Sequence, residues 1–269
     1  PQDSERAFTQ QYPEDGSYYT LAFEDNWPAQ GDYDMNDLVV KYRYEQVTDA
    51  EGQIKDLTGY YQVTARGAEL HNAFALEIPG TAYQDLERAT LTTNNQSRAL
   101  SPESGQDHLV FQIIEDATQW TPAPGCKFFN TRTQCTASMP DTLQLNLTFT
   151  QPMSTAEIGF APYNPFIYRT DQRGLEVHLP NHSPTRKASI GRFGSQDDAS
   201  NLATGNTYKT TSNLPWALNI PSSWEHPIEQ QAISKTYLRF KNWAESSGNQ
   251  NSDWFLSDVH TPFLFRGQP

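Results

Sequence analysis

Apolar residues recur at every second position along much of the chain. The clearest stretch is residues 142–149, where Leu143, Leu145, Leu147 and Phe149 share one face of an extended strand. Gln144, Asn146 and Thr148 take the other face, which is the period of a half-buried strand rather than of a helix. Residues 18–23, 38–44, 60–64, 74–78, 108–114 and 175–179 read as further strands. Turn-forming clusters separate them, among them Glu14-Asp15-Gly16, Pro79-Gly80 and Pro122-Ala123-Pro124-Gly125. Many short strands punctuated in this way predict a mainly β fold, a β-sandwich or jelly-roll-like architecture.

One segment switches to helical spacing. After His226-Pro227, the residues Ile233, Tyr237, Phe240 and Ala244 fall on one helical face, and Gly248 supplies a stop. This predicts a single helix over about 228–246, packed on the sheet near the C-terminus. There is no internal repeat and no linker long enough to force a boundary. The expected organisation is therefore an N-terminal extension over 1–17 and one β-rich domain over 18–269. The polar run 195–212 reads as a long loop of the kind that carries function on a rigid scaffold.

Composition narrows the function classes. The 269 residues include 33 aromatics (14 Phe, 13 Tyr, 6 Trp), enough to fill a sizeable core despite a polar mean hydropathy. No run of about 18 apolar residues occurs, so no helical span is expected. Asp and Glu outnumber Lys and Arg by 32 to 19, a net charge of -13, which argues against nucleic acid and invites divalent cations. The chain begins Pro-Gln-Asp-Ser, as a processed or excised segment would. The two cysteines, Cys126 and Cys135, lack further Cys or His at zinc-binding spacing. An isolated pair closing a short loop reads as a disulfide worth about 2.5–3 kcal/mol in the loop-entropy model. Two buried thiols in a reducing compartment are the alternative, and the disulfide reading favours a secreted or surface location.

The densest chemistry lies in residues 24–37. Asp32, Asp34 and Asn36 are spaced by two, Asp37 follows, and Glu24 and Asp25 stand upstream. Oxygen ligands at positions one, three and five are what a short loop needs to wrap a hard cation. An EF-hand is excluded, because Asp37 stands where its turn glycine belongs and Arg43 where its closing glutamate belongs. A solvated acidic turn before a strand is the plain alternative. Against it, carboxylates this crowded repel one another unless something neutralises them. Calcium (Ca2+) is the expected cofactor, with Glu24, Asp25, Asp32, Asp34, Asn36 and Asp37 as candidate ligands.

The same stretch resembles the signature of the LruC-type domain of bacterial surface and secreted proteins, and a related Glu-Asp…Gly-Asp-x-Asp-x-Asn-Asp signature of large calcium-dependent adhesins. Weaker similarities follow in order: residues 63–74, Asn164-Pro165-Phe166-Ile167, residues 176–180 with Pro184-Thr185, residues 193–198, Asn213 to Ala217, and the Trp243…Trp254 ending. What the resemblance implies is an extracytoplasmic, calcium-binding domain with neither a settled ligand nor an established reaction.

Other polar groups are weighed individually. If 175–179 is a strand, Glu176 and His178 share the face opposite Leu175, Val177 and Leu179, where they either line a pocket or are simply solvated. His71 and Asn72 either bind a ligand or close a turn, and Asp197-Asp198 complete a second cation site or a solvated turn. Trp216 reads as core, with a carbohydrate platform as the alternative, and Trp243 and Trp254 read as packing. From these groups a ligand groove is expected near the cation, built from Asn72, Asn164, Glu176, His178, Asp197 and Asp198. No catalytic signature is recognisable. Three functions stay open: a calcium-dependent adhesion module for a peptide, glycan or protein at a cell surface, a structural or assembly subunit that calcium only stabilises, and a hydrolase of polysaccharide or peptide.

Overall fold

A computed structural model describes residues 8–267. Among these, twelve strands form two antiparallel sheets. In chain order the strands are β1 (Phe8–Tyr12), β2 (Tyr19–Phe23), β3 (Leu38–Thr48), β4 (Ile54–Ala65), β5 (Asn72–Ile78), β6 (Leu86–Thr93), β7 (Gln96–Ala99), β8 (Leu109–Ile114), β9 (Leu143–Met153), β10 (Asn164–Arg169), β11 (Gln172–His178) and β12 (Ala217–Ile220). The large sheet runs β12-β2-β3-β4-β9-β6-β7, and β1 lies beside the far half of β3. The small sheet runs β11-β10-β5-β8.

Strict alternation builds the layer between the sheets. Leu143, Leu145, Leu147 and Phe149 of β9 all face inward, as do Leu57, Tyr61 and Val63 of β4. From the small sheet Phe74, Leu76, Ile167 and Val177 meet them. Tyr44 and Tyr61 touch edge to face at 6.0 Å and share a hydroxyl hydrogen bond of 3.1 Å, so their polar ends are satisfied inside the core. Truncating one of these side chains, as in Leu145→Ala, would cost about 2–5 kcal/mol.

Two expectations are revised here. The N-terminal segment is not wholly an extension, because residues 8–12 add a strand in register with β3, from Phe8 opposite Thr48 to Tyr12 opposite Tyr44. The remaining residues 1–7 lie outside the described part. The helix expected over 228–246 is broken into two short helices, Ile233–Thr236 and Phe240–Glu245, which follow α1 (Ala117–Trp120) and α2 (Thr155–Ile158) and are labelled α3 and α4. The anticipated face is correct, since Ile233, Tyr237, Phe240 and Ala244 are all buried. The break arises because the backbone between the two helices pairs elsewhere. Tyr237 is extended and bridges Val259, and Leu238 N donates to Asp258 O at 3.1 Å. Tertiary pairing overrides local helical spacing.

These helices, with Trp224, Trp254 and Leu264, cover the outer face of the large sheet at Ala22, Val39, Ala65, Leu218 and Ile220. Tyr33 and Met35 join this second core from the acidic loop.

Candidate functional site

The acidic loop connects β2 to β3 at the end of the large sheet. Its alternating backbone explains its shape. Tyr33 and Met35 have φ of 60° and 57°, left-handed values that non-glycine residues adopt only when the surroundings enforce them. Both side chains are anchored in the second core, and Tyr33 Oη donates to Pro215 O at 2.8 Å. With the apolar residues fixed outward in this way, Asp34 and Asn36 turn inward and are 1% and 0% exposed.

Ligand oxygens of Glu24, Asp32 and Asp34 converge within 4.8 Å of one another. Glu24 is fully buried, and Met35 N donates to its Oε1 at 2.5 Å. Its Oε2 has no protein donor. Asp34 accepts from Asn36 N at 3.2 Å and from Gln230 N at 2.7 Å. Asp32 is exposed and marks the solvent side of the group. Asn36 Nδ2 donates to Pro227 O at 3.1 Å, which leaves its buried Oδ1 without a donor. That atom lies against Gly67, where a Cβ would stand 1.9 Å from Asn36 Oδ1 and 2.9 Å from Glu229 Oε2. Glycine is required there so that the two oxygens can approach.

Glu229 is a carboxylate beside this group that the sequence reading missed. It arrives from the opposite end of the chain and is held by Thr131 Oγ1 at 2.9 Å and by backbone pairing of its N–H to Thr131 O. Nothing local in the sequence signals it. Thr131 in turn lies in the loop closed by Cys126 and Cys135, which are disulfide-bonded as expected.

The remaining two candidate metal ligands form an adjoining pair. Asp37 Oδ2 accepts from Asp25 N at 2.8 Å, and Asn72 Nδ2 donates to Asp25 Oδ2 at 2.6 Å. Electrostatics is unfavourable throughout. Burial, then the charge of Asp34, pushes Glu24 well above the usual carboxylate range. Burial and Asp25 do the same to Asp37, while burial and Asp32 raise Asp34 to about 8. Among the described residues none of Glu24, Asp25, Asp32, Asp34, Asp37 and Glu229 makes an ion pair. Such a group either holds protons or holds a cation. The three converging carboxylates supply hard oxygen donors of the kind calcium takes, about 6–8 in a full sphere.

The ligand residues expected in one groove are distributed over three places. Asn72 belongs to the acidic group. Asn164, Glu176 and His178 form a closed network on the outer face of the small sheet, where His178 bridges Asn164 Oδ1 (2.7 Å) and Glu176 Oε2 (2.9 Å). Thr185 N and Arg173 complete the shell of Glu176. Asp198 closes its own turn by accepting from Gly194 N and Ser200 Oγ, and Asp197 accepts from Gln30 N at 3.0 Å. Five of the six are at most 4% exposed, Asp197 being the exception. The expected single groove is thus replaced by separate groups, satisfied internally except for the buried Oδ1 of Asn72, which has no donor. The reason is that residues 182–208 and Arg173 cover the strand face that carries Glu176 and His178.

A family profile described as a domain of unknown function (DUF4842) matches residues 52–255. The chain belongs to the DUF4842 family. The matched region includes Gly67, Thr131 and Glu229 but begins after the acidic loop. No curated protein matches this DUF4842 chain. A solved structure from Bacteroides ovatus, of a protein provisionally described as a lipoprotein, superposes with a TM-score of 0.70. The two are 15% identical over 97% of this chain and 76% of that one, a likeness of fold. Among the described residues no helix is long and apolar enough to cross a membrane.

Proposed function

We propose that this DUF4842 chain is a calcium-clamped binding module of the bacterial cell envelope, exposed at or beyond the cell surface. The observation that carries the reading is the convergence of Glu24, Asp32 and Asp34 around a buried oxygen that no protein donor satisfies. Its location is supported by the disulfide, by the likeness in fold to a protein described as a lipoprotein, and by the resemblance of the acidic loop to LruC-type and adhesin signatures. In this reading Glu24, Asp32 and Asp34 ligate calcium directly. Asn36 and Glu229 close the sphere, and Asp25 with Asp37 set the loop's orientation through Asn72.

Calcium that binds only the folded chain stabilises it by mass action, about 2.7 kcal/mol at a hundredfold excess over the dissociation constant. The test is thermal unfolding with calcium and with chelator, beside Asp34→Ala. Calcium should raise the melting temperature by several degrees, and the variant should lose that response. An unchanged curve, with no calcium found by elemental analysis of the purified protein, sinks the reading.

A second reading, in which calcium only rigidifies a structural or assembly subunit, is favoured by the burial of Asn164, Glu176 and His178. Glycan and peptide arrays separate the two, because the structural subunit gives no signal in calcium.

A further inference from the structure

We infer that a cleft between the β12 end of the sandwich and α4 is a binding site for a carboxylate-bearing sugar ring. The cleft has a volume of about 300 Å³ and is lined by the turn after β11, by residues 209–219 and by the segment 243–248. It is separate from the acidic loop. The inference rests on the binding-module reading but not on the cation.

Three features set the ligand class. The first is charge. None of the fifteen lining residues is Asp or Glu, in a chain that carries 32 of them. The ionisable side chains on the lining are Lys209 and His182. Among the described residues Lys209 makes no ion pair, so its ammonium is available to an anion. In a chain of net charge -13 this sets an unpaired cation on a lining without carboxylates, and a carboxylate is its complement.

The second feature is the indole of Trp243. It packs against Trp254 at 5.4 Å and Phe240 at 5.6 Å, yet is only half-buried and lines the cleft. With Leu179, Pro180 and Pro215 it gives the cleft a rigid apolar wall, suited to the C–H face of a ring. The third feature is a set of amides at the rim. Asn181, Asn213 and Asn219 all line the cleft, and Asn219 commits its Oδ1 to Tyr42 Oη at 2.7 Å, which leaves its NH2 group to donate. Amide donors beside an apolar wall match ring hydroxyls. Asn213 Nδ2 already reaches Glu245 O at 3.4 Å, so an apolar acid would leave chiefly the Asn219 amide without a partner. The volume lies at the lower end of the ~300–1,000 Å³ of small-molecule sites, which limits the occupant to about one ring.

The experiment titrates the full chain, in calcium, with galacturonate, its methyl ester, galactose and 3-phenylpropionate, read by tryptophan fluorescence and saturation-transfer NMR. Galacturonate should bind saturably and about tenfold more tightly than its methyl ester or galactose. In Lys209→Gln that preference should vanish, and Trp243→Phe should weaken galacturonate and galactose together. Circular dichroism confirms that both variants fold. If galacturonate fails to saturate, or if Lys209→Gln leaves its affinity unchanged, the site is overturned. Tighter binding of 3-phenylpropionate overturns the sugar assignment. Chelator melting curves on the same samples keep the two ideas apart, since loss of the calcium response with galacturonate binding intact removes only the clamp.

Discussion

Two regions of this molecule bury carboxylates, and they solve the problem in opposite ways. On the outer face of the small sheet, Glu176 is fully buried but meets Arg173, His178 and the hydroxyl and N–H of Thr185. Glu103 joins the same network through Arg173 at 2.6 Å and Lys187 at 2.9 Å. Burial opposes ionisation there, yet hydrogen bonds from Arg173, Gln106 and Lys187 hold Glu103 down at about 2. At the acidic loop, burial is similar but no cation is supplied from within, and Asp34 rises to about 8. A buried charge needs a counter-charge. The outer face supplies one to Glu176 and Glu103, although Glu77 beside Asn164 has none and burial pushes it up to about 7. The acidic loop supplies none, and its carboxylates hold either protons or a cation.

The largest test of this contrast removes the internal cation. Arg173→Met removes the guanidinium that stacks on Tyr168 and leaves Glu176 buried beside only His178 and Thr185. It should cost about 3–5 kcal/mol in denaturant unfolding, irrespective of calcium. A calcium-dependent loss would merge two regions that are separated here.

Next in size is an effect that changes sign. Glu24→Gln removes a charge repelled by Asp34 while keeping shape. In chelator the variant should be more stable than the parent by about 1 kcal/mol, and in calcium less stable by about 2 kcal/mol. Melting curves in both buffers should therefore cross. Parallel curves would mean that the loop is not a cation site.

The disulfide links to the same region. Reduction should cost about 2.5 kcal/mol, and it should also weaken calcium by several-fold, because Thr131 in the closed loop positions Glu229. Calcium titration of a Cys126→Ser, Cys135→Ser double variant checks the second effect, and unaltered affinity would remove Glu229 from the sphere.

The smallest expected effects are pH steps, measured at saturating calcium. Burial lowers His226 to about 4, where its Nε2 donates to Asn130 O at 2.8 Å. Below about 6.5 the unfolded chain takes a proton that folded His226 refuses, so the His226 contribution to stability falls as pH drops from about 6.5 towards 4. His226→Gln should flatten that step. Glu103 is depressed, so its contribution is present above about 4.5 and lost as pH falls towards about 2. Arg173→Met should shrink that lower step, since Lys187 and Gln106 still hold Glu103, and leave the upper one.

The alternation in β9 and β4 made the two-layer β fold readable, because each inward residue repeats at a period only a strand has. β10 was missed where Pro165 interrupts the pattern, and β6 because Glu87 and Arg88 dilute it. The loop Asp32-Asp34-Asn36 was legible because its acidic and amide side chains crowd into one short stretch of sequence. Glu229 was not, since its place is set by Thr131 and Gly67 in space. The groove expected from Asn164, Glu176 and His178 failed for a related reason. Strand periodicity says which side a residue faces but not whether the chain later folds over that side.

The reach of the hydrogen bond from Gln230 to Asp34 has a consequence for assembly. The two residues are 196 apart in the chain, and the docking of Ile233 on Tyr33 spans a similar distance. Closing so long a loop is late work for a folding polypeptide. On the proposed reading, the pocket is complete only once the last segment has docked. Calcium should accordingly slow unfolding while leaving the refolding rate nearly untouched, and stopped-flow traces in which refolding accelerates instead would show that the loop grips its ion before the C-terminal segment arrives.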